Sequence, residues 1–244
     1  MGGEDRSSIS LTRWGRALKP QSSRLGSLSS ATRQSLLERL TAARLYVITP
    51  DQEPDRVAAL AAATLRGGAD VLQLRHKELG RGDLLLLARR LRDLTRASGA
   101  LFVVNDHLDL ALLSEADGVH LGPDDLSVAG ARRVAGDRLL IGASASDAAA
   151  ARAAVDSGAD YIGCGPAFAT PIKPQKKVIG PNGVAEVALA VGPVVPVFAI
   201  GGIDASNLGQ LTEAGVRRVC VVRAVGDAPD PESMTRSLRT MLDE

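Results

Sequence analysis

Aromatic side chains are scarce in this 244-residue chain: three Phe, two Tyr and one Trp. So few rings leave little for stacking nucleobases, and a formal net charge of +1 provides no basic field for a phosphate backbone. No nucleic-acid partner is therefore expected. Cysteine is as scarce. Its two copies, Cys164 and Cys220, cannot staple a small secreted domain or build a structural zinc site, which points to a reducing, cytoplasmic setting. Both lack a nearby catalytic His in sequence and read as core thiols. No apolar run reaches membrane-spanning length, since the most hydrophobic stretch, Val191 to Ile200, is broken by Pro193 and Pro196. The chain is not expected to span a membrane.

The chain divides in two. Residues 1–43 interleave nine serines with Arg6, Arg13, Arg16, Lys19 and Arg24 and carry few apolar residues, so this segment reads as a disordered N-terminal extension. Glu4, Asp5 and the lack of a cleavage signature favour that reading over a transit peptide. A short helix near residues 32–40 would pack beside the first strand. From residue 44 to 244, eight short apolar runs alternate with stretches of helical period. The predicted strands are Leu45–Thr49, Val71–Leu74, Leu101–Val104, Gly118–Leu121, Leu139–Gly142, Tyr161–Gly163, Val197–Ile200 and Val219–Val222. The predicted helices are Asp55–Arg66, Asp83–Ala97, Asp109–Ser114, Ser127–Val134, Ser146–Asp156, Gly183–Val191, Ala205–Ala214 and Pro231–Leu242. A small phrase, Gly68-Ala69-Asp70, Gly158-Ala159-Asp160 and Gly215-Val216, returns just before strands. Eight such units fit a single α/β domain, a closed (β/α)8 TIM barrel. An open doubly wound sheet would bring a glycine fingerprint after its first strand, and Thr49-Pro50-Asp51-Gln52 is none.

In a barrel of this kind, function sits at the carboxyl ends of the strands. After strand two, Gln73, Arg75 and Lys77 share one side of an extended segment, while Leu72 and Leu74 face the helices. Amide, guanidinium and ammonium suit a polyanion. Asn105-Asp106 ends strand three, and Gly122-Pro123-Asp124-Asp125 follows strand four. Because neighbouring parallel strands lie about 4.8 Å apart, Asp106 and Asp125 could share one hard cation, Mg2+ being the natural choice. Asp124 suits a turn role better than Asp125. His120 reads equally as a core residue or a ligand contact. Ser144 directly follows strand five, with Ser146-Asp147 at the next helix cap. The longest loop, Gly165 to Pro174, carries Thr170 and Lys173. Gly201-Gly202, with Val222-Arg223, occupies the place where many barrels bind phosphate through backbone N–H groups.

Taken in order, Gln73-Leu74-Arg75-His76-Lys77, Asn105-Asp106, His120 to Asp125, Gly165-Pro166, Thr170 with Lys173, and Ile200 to Ile203 resemble the thiamine phosphate synthase family from about Leu45 to Leu242. The resemblance implies a (β/α)8 barrel that joins hydroxymethylpyrimidine diphosphate to thiazole phosphate and releases pyrophosphate. It implies that Gln73, Leu74, Arg75, His76, Lys77, Asn105, Ser144 and Lys173 hold the pyrimidine diphosphate. Asp106 and Asp125 would bind magnesium. Thr170, Pro171, Ile172, Gly202, Val222 and Arg223 would form the thiazole-phosphate site. Departures are His76 for a common acidic residue, Pro123 for Gln, Ile172 for a second Thr, Ser146 for His and Arg223 for Ser.

The chemistry this implies needs electrostatic stabilisation of a leaving diphosphate rather than a general base. Arg75, Lys77, Ser144 and Lys173 are the catalytic candidates. Two other readings stay open: a thiazole tautomerase, which shuttles a proton, and a non-catalytic barrel that binds thiamine precursors. The retained Gln73-Arg75-Lys77 cluster and Ser146 argue against the first. The sequence leaves room for a homo-oligomer.

Overall fold

The computed structural model describes residues 33–171, 175 and 177–244 of the chain. Eight parallel strands close on themselves in sequence order: β1 (Leu45–Ile48), β2 (Val71–Leu74), β3 (Leu101–Asn105), β4 (Gly118–Leu121), β5 (Leu140–Ala145), β6 (Tyr161–Cys164), β7 (Val197–Ile200) and β8 (Val219–Val221). A helix over residues 33–42, α1, precedes them. Between and after them run α2 (Pro54–Arg66), α3 (Arg81–Ser98), α4 (Leu108–Leu113), α5 (Val128–Ala135), α6 (Ala148–Asp156), α7 (Gly180–Val191), α8 (Leu208–Glu213), α9 (Arg223–Gly226) and α10 (Pro231–Asp243). Among the described residues no helix is long and apolar enough to cross a membrane.

Strand alternation divides the apolar residues into two cores. Leu45, Val47, Leu72, Leu74, Phe102 and Val104 point outward and meet the helices. Tyr46, Ile48, Val71, Leu101, Val103, Tyr161 and Phe198 point inward and fill the barrel. Both tyrosines of the chain sit in this interior, each edge-on to Phe198 with ring centroids 5.5 and 5.9 Å away. Gly142 makes room for them, because a Cβ there would lie 2.0 Å from the Tyr161 ring.

The first helix is not beside β1 as expected. Leu36, Leu40 and Ala43 belong to the interior cluster, so α1 plugs the amino-terminal end of the barrel. Its polar residues reach the same end: Arg39 Nη2 donates to Gly99 C=O (2.9 Å), Arg33 Nη2 to Asp160 Oδ1 (2.6 Å), and Thr41 C=O accepts from Arg218 Nη2 (2.8 Å). Residues 1–32, most of the expected disordered extension, lie outside the described residues.

The recurrent phrase before strands has a structural purpose. Asp70, ahead of β2, accepts the N–H groups of Arg44 and Leu45 at the head of β1 (2.8 and 2.9 Å). Asp117, ahead of β4, accepts Phe102 N–H in β3 (2.8 Å), and Asp160, ahead of β6, accepts Ile141 N–H in β5 (2.8 Å). Each carboxylate is also paired with a helix arginine: Arg92 of α3 and Arg132 of α5 come from the helix before the capped strand, and Arg239 from α10 at the end of the chain. One device thus ties helix, strand and next strand together three times around the base.

Candidate active site

At the opposite rim, Gln73 ends in the barrel interior, 2% exposed, where its Nε2 donates to the Tyr46 hydroxyl (2.7 Å). The Tyr46 and Tyr161 hydroxyls are 2.9 Å apart, Tyr161 OH lies 3.3 Å from His120 Nδ1, and His120 Nε2 lies 3.0 Å from Ser144 Oγ. The Tyr46 phenol, which accepts from Gln73, keeps its own proton to give to Tyr161, and His120 joins Tyr161 to Ser144, its tautomer setting the direction of the last two links. Burial raises both phenols well above their ordinary range, so they remain protonated donors. Ser144 lies within β5, not after it, because that strand continues to Ala145 in register with β6.

Beyond the ends of β2 and β3 the side chains are charged. Lys77 Nζ pairs with Asp106 Oδ2 at 2.5 Å, and Arg75 Nη1 pairs with Asp51 Oδ2 at 2.7 Å. Asp106 takes a left-handed backbone conformation, φ 62°, and its N–H donates to His120 C=O (2.8 Å), which turns its carboxyl toward that of Asp125. For Asp106, burial pushes the carboxyl's pKa up, but hydrogen bonding to Asp125 and Lys77 outweighs it and holds the group below the usual carboxylate range. Asp125 goes the other way, pushed up by burial and then by Asp106. Two carboxyls are therefore crowded together beside an ammonium. The turn role expected of Asp124 falls to Asp125, whose Oδ2 accepts Gly122 N–H (2.8 Å). Among the described residues no group of three or more His, Cys, Asp or Glu is gathered for a metal.

The remaining predicted residues are placed unequally. Asn105 ends β3 beside His120. Leu74 buries its side chain under the helices, which leaves only its main chain facing the site. His76 is buried, with Nε2 against Gln52 C=O (2.9 Å) and Nδ1 accepting from the N–H groups of Glu78 and Leu79 (3.3 and 3.2 Å). Thr170 and Pro171 stand in the loop after β6, whereas Ile172 and Lys173 lie outside the described residues. That loop continues the β6–β7 pairing, with Ala167 N–H on Ile200 C=O (2.8 Å) and Phe168 N–H on Gly201 C=O (2.9 Å). Gly202 meets it at φ 65°, where a Cβ would come within 2.4 Å of Ala169 C=O. Val222 and Arg223 open α9, a one-turn helix that hydrophobic period did not reveal because it spans only four residues. Both cysteines are buried and free.

The family profile described as thiamine monophosphate synthase matches residues 45–225, the whole run of strands. The chain belongs to this family. It is 47% identical over 207 residues to a thiamine-phosphate synthase of Gloeobacter violaceus, covering 85% of this chain and 60% of that protein. It is 45% identical over 213 residues to a thiamine-phosphate synthase of Thermobifida fusca, covering 86% and 96%. The thiamine phosphate pyrophosphorylase structure from Pyrococcus furiosus superposes with TM-score 0.76 at 36% identity, covering 84% of this chain and 97% of that one. The chain thus spans about 60% of the length of the Gloeobacter relative but nearly all of the other two. The match spans every rim residue described above.

Proposed function

We propose that this chain condenses 4-amino-2-methyl-5-hydroxymethylpyrimidine diphosphate with 4-methyl-5-(2-hydroxyethyl)thiazole phosphate, forming thiamine phosphate and releasing pyrophosphate. The observation that carries this reading is the convergence of Arg75, Lys77, Asp106 and Asp125 on one rim, above an interior lined by Gln73, His120 and Ser144. A neutral aromatic ring suits the mouth just above Gln73, His120 and Ser144, with their amide and hydroxyl groups, and a diphosphate suits the charged rim.

The reaction breaks the bond between the pyrimidine methylene carbon and the bridging oxygen, whose electron pair leaves with pyrophosphate. The aminopyrimidine ring spreads the resulting positive charge, and the thiazole nitrogen lone pair then closes the new C–N bond. No proton transfer at carbon is required. Arg75 and Lys77, with Lys173 from the loop after β6, bind the departing charge, and Ser144 offers its hydroxyl to it. Gln73 and Asn105 orient the pyrimidine. Thr170, Gly202 and the backbone of Val222-Arg223 receive the thiazole phosphate, which holds the nucleophile at attacking distance.

A magnesium ion fits this rim. The carboxyls of Asp106 and Asp125 press on each other, one of them pushed toward protonation by the other, and a divalent hard cation relieves that repulsion. When bound, it supplies neutralising charge to the diphosphate oxygens. The test is incubation with both substrates and MgCl2, followed by pyrophosphate detection. Release is expected only when both substrates are present and is abolished by chelator. Binding of either substrate without turnover in the complete mixture would refute the reading.

A further inference from the structure

The loop after β1 grips the loop after β2 at every residue that matters for charge. Thr49, fully buried, extends the pairing past the strand ends. Its N–H donates to Gln73 C=O, and its hydroxyl accepts from Arg75 N–H and donates to Arg75 C=O, each at 3.0 Å. Two residues on, Asp51 accepts Arg75 Nη1 on one oxygen (2.7 Å) and Lys77 N–H on the other (2.6 Å). Gln52 C=O takes the proton of His76 Nε2 (2.9 Å). Residues 75, 76 and 77 are thus each held separately by residues 49–52.

The electrostatic role of Asp51 is two-sided. Its charge opposes a diphosphate at the same rim. Against that, an unrestrained arginine side chain carries about 2 kcal/mol of rotamer entropy, and holding it in place beforehand removes that cost from binding. Burial pushes the Asp51 carboxyl up, but the Lys77 amide and the Arg75 guanidinium outweigh it and hold the group below the usual carboxylate range. Both oxygens therefore act as acceptors at neutral pH.

Building on the proposed diphosphate chemistry, we infer that Asp51 is a positioning residue, which holds the Arg75 guanidinium directly and fixes the main chain at Lys77, from which the ammonium reaches out to Asp106, so that both cations are preset for the diphosphate. It touches no substrate itself. Its effect should fall on the diphosphate alone, because its contacts are confined to residues 75–77 and do not reach the thiazole-phosphate end at Gly202 and Val222.

The experiment is calorimetric titration of the full chain with inorganic pyrophosphate and MgCl2, comparing wild type, Asp51→Ala and Asp51→Asn at about 0.1 M and about 1 M NaCl, paired with KM for each substrate. Thermal melting verifies folding. If Asp51 positions, Asp51→Ala weakens pyrophosphate about tenfold at both salt concentrations. Asp51→Asn, which keeps an acceptor for the Lys77 amide, weakens it about threefold. The KM for the pyrimidine diphosphate rises in parallel while that for thiazole phosphate holds. A merely structural loss would lower kcat and leave both KM values alone. Equal or tighter pyrophosphate binding by Asp51→Ala would overturn the inference, as would equal movement of both KM values. Absence of turnover in the wild type would instead strike at the condensation reading, which the calorimetry does not need.

Discussion

Asp106 stands at a backbone angle that Asp and Asn tolerate and that β-branched residues do not. Asp106→Asn therefore keeps the fold but removes the Lys77 ion pair and half of the carboxyl pair. Its kcat/KM for condensation is expected to fall about 100-fold or more, with an unchanged melting curve. Asp106→Val is expected to lower Tm by about 5 °C or more, because it adds backbone strain to the lost charge. Comparing the two melting curves and rates separates charge from conformation at this position. The candidate site was readable in sequence wherever its side chains follow a short period. Gln73, Arg75 and Lys77 alternate along one strand end, and the acids Asp106 and Asp125 follow adjacent strands. It was unreadable where the partner is distant. Tyr46 and Tyr161 look like ordinary strand residues, and their 115-residue separation hides the hydroxyl pair that supports His120 and Ser144. His76 sits within the motif, yet its ring serves the loop backbone, a direction that spacing alone does not encode.

All eight strands were legible to within a few residues because their short apolar runs are set off from the helical stretches, in most cases by a glycine that ends the preceding helix. The helices were legible except for the shortest. The repeat at the base was only partly visible, and Glu115 explains why: it occupies, at φ 53°, the place that Gly68 and Gly158 fill in the other copies. Glu115-Ala116-Asp117 is thus a third copy in disguise. The aspartates in these copies differ in burial, and stability should differ with them. The Asp160 side chain is 5% exposed and serves Arg33, Arg132 and a strand N–H, so Asp160→Ala is expected to cost roughly 3–5 kcal/mol. Asp70, 27% exposed, is expected to cost about 1–2 kcal/mol on the same change. Urea denaturation of the two variants orders them. Leu40→Ala, which removes apolar volume from the plug, belongs with the larger effect at roughly 2–5 kcal/mol.

Taken whole, the molecule is polar at one end and stoppered at the other. The closed sheet was foreseeable from eight alternating units, but the stopper was not, since a ten-residue helix next to a serine-rich segment offers no sign of which surface it will choose. Its choice governs traffic. Among the described residues, Leu36 and Leu40 occupy the base of the barrel, which leaves the opposite rim as the way into the interior and out of it. In the proposed reaction, pyrophosphate bound at the charged rim would occupy the place that a new pyrimidine diphosphate needs. Added pyrophosphate should consequently inhibit competitively against the pyrimidine diphosphate, as initial-rate measurements would reveal. A vessel with one opening regulates its own refilling by how quickly it empties.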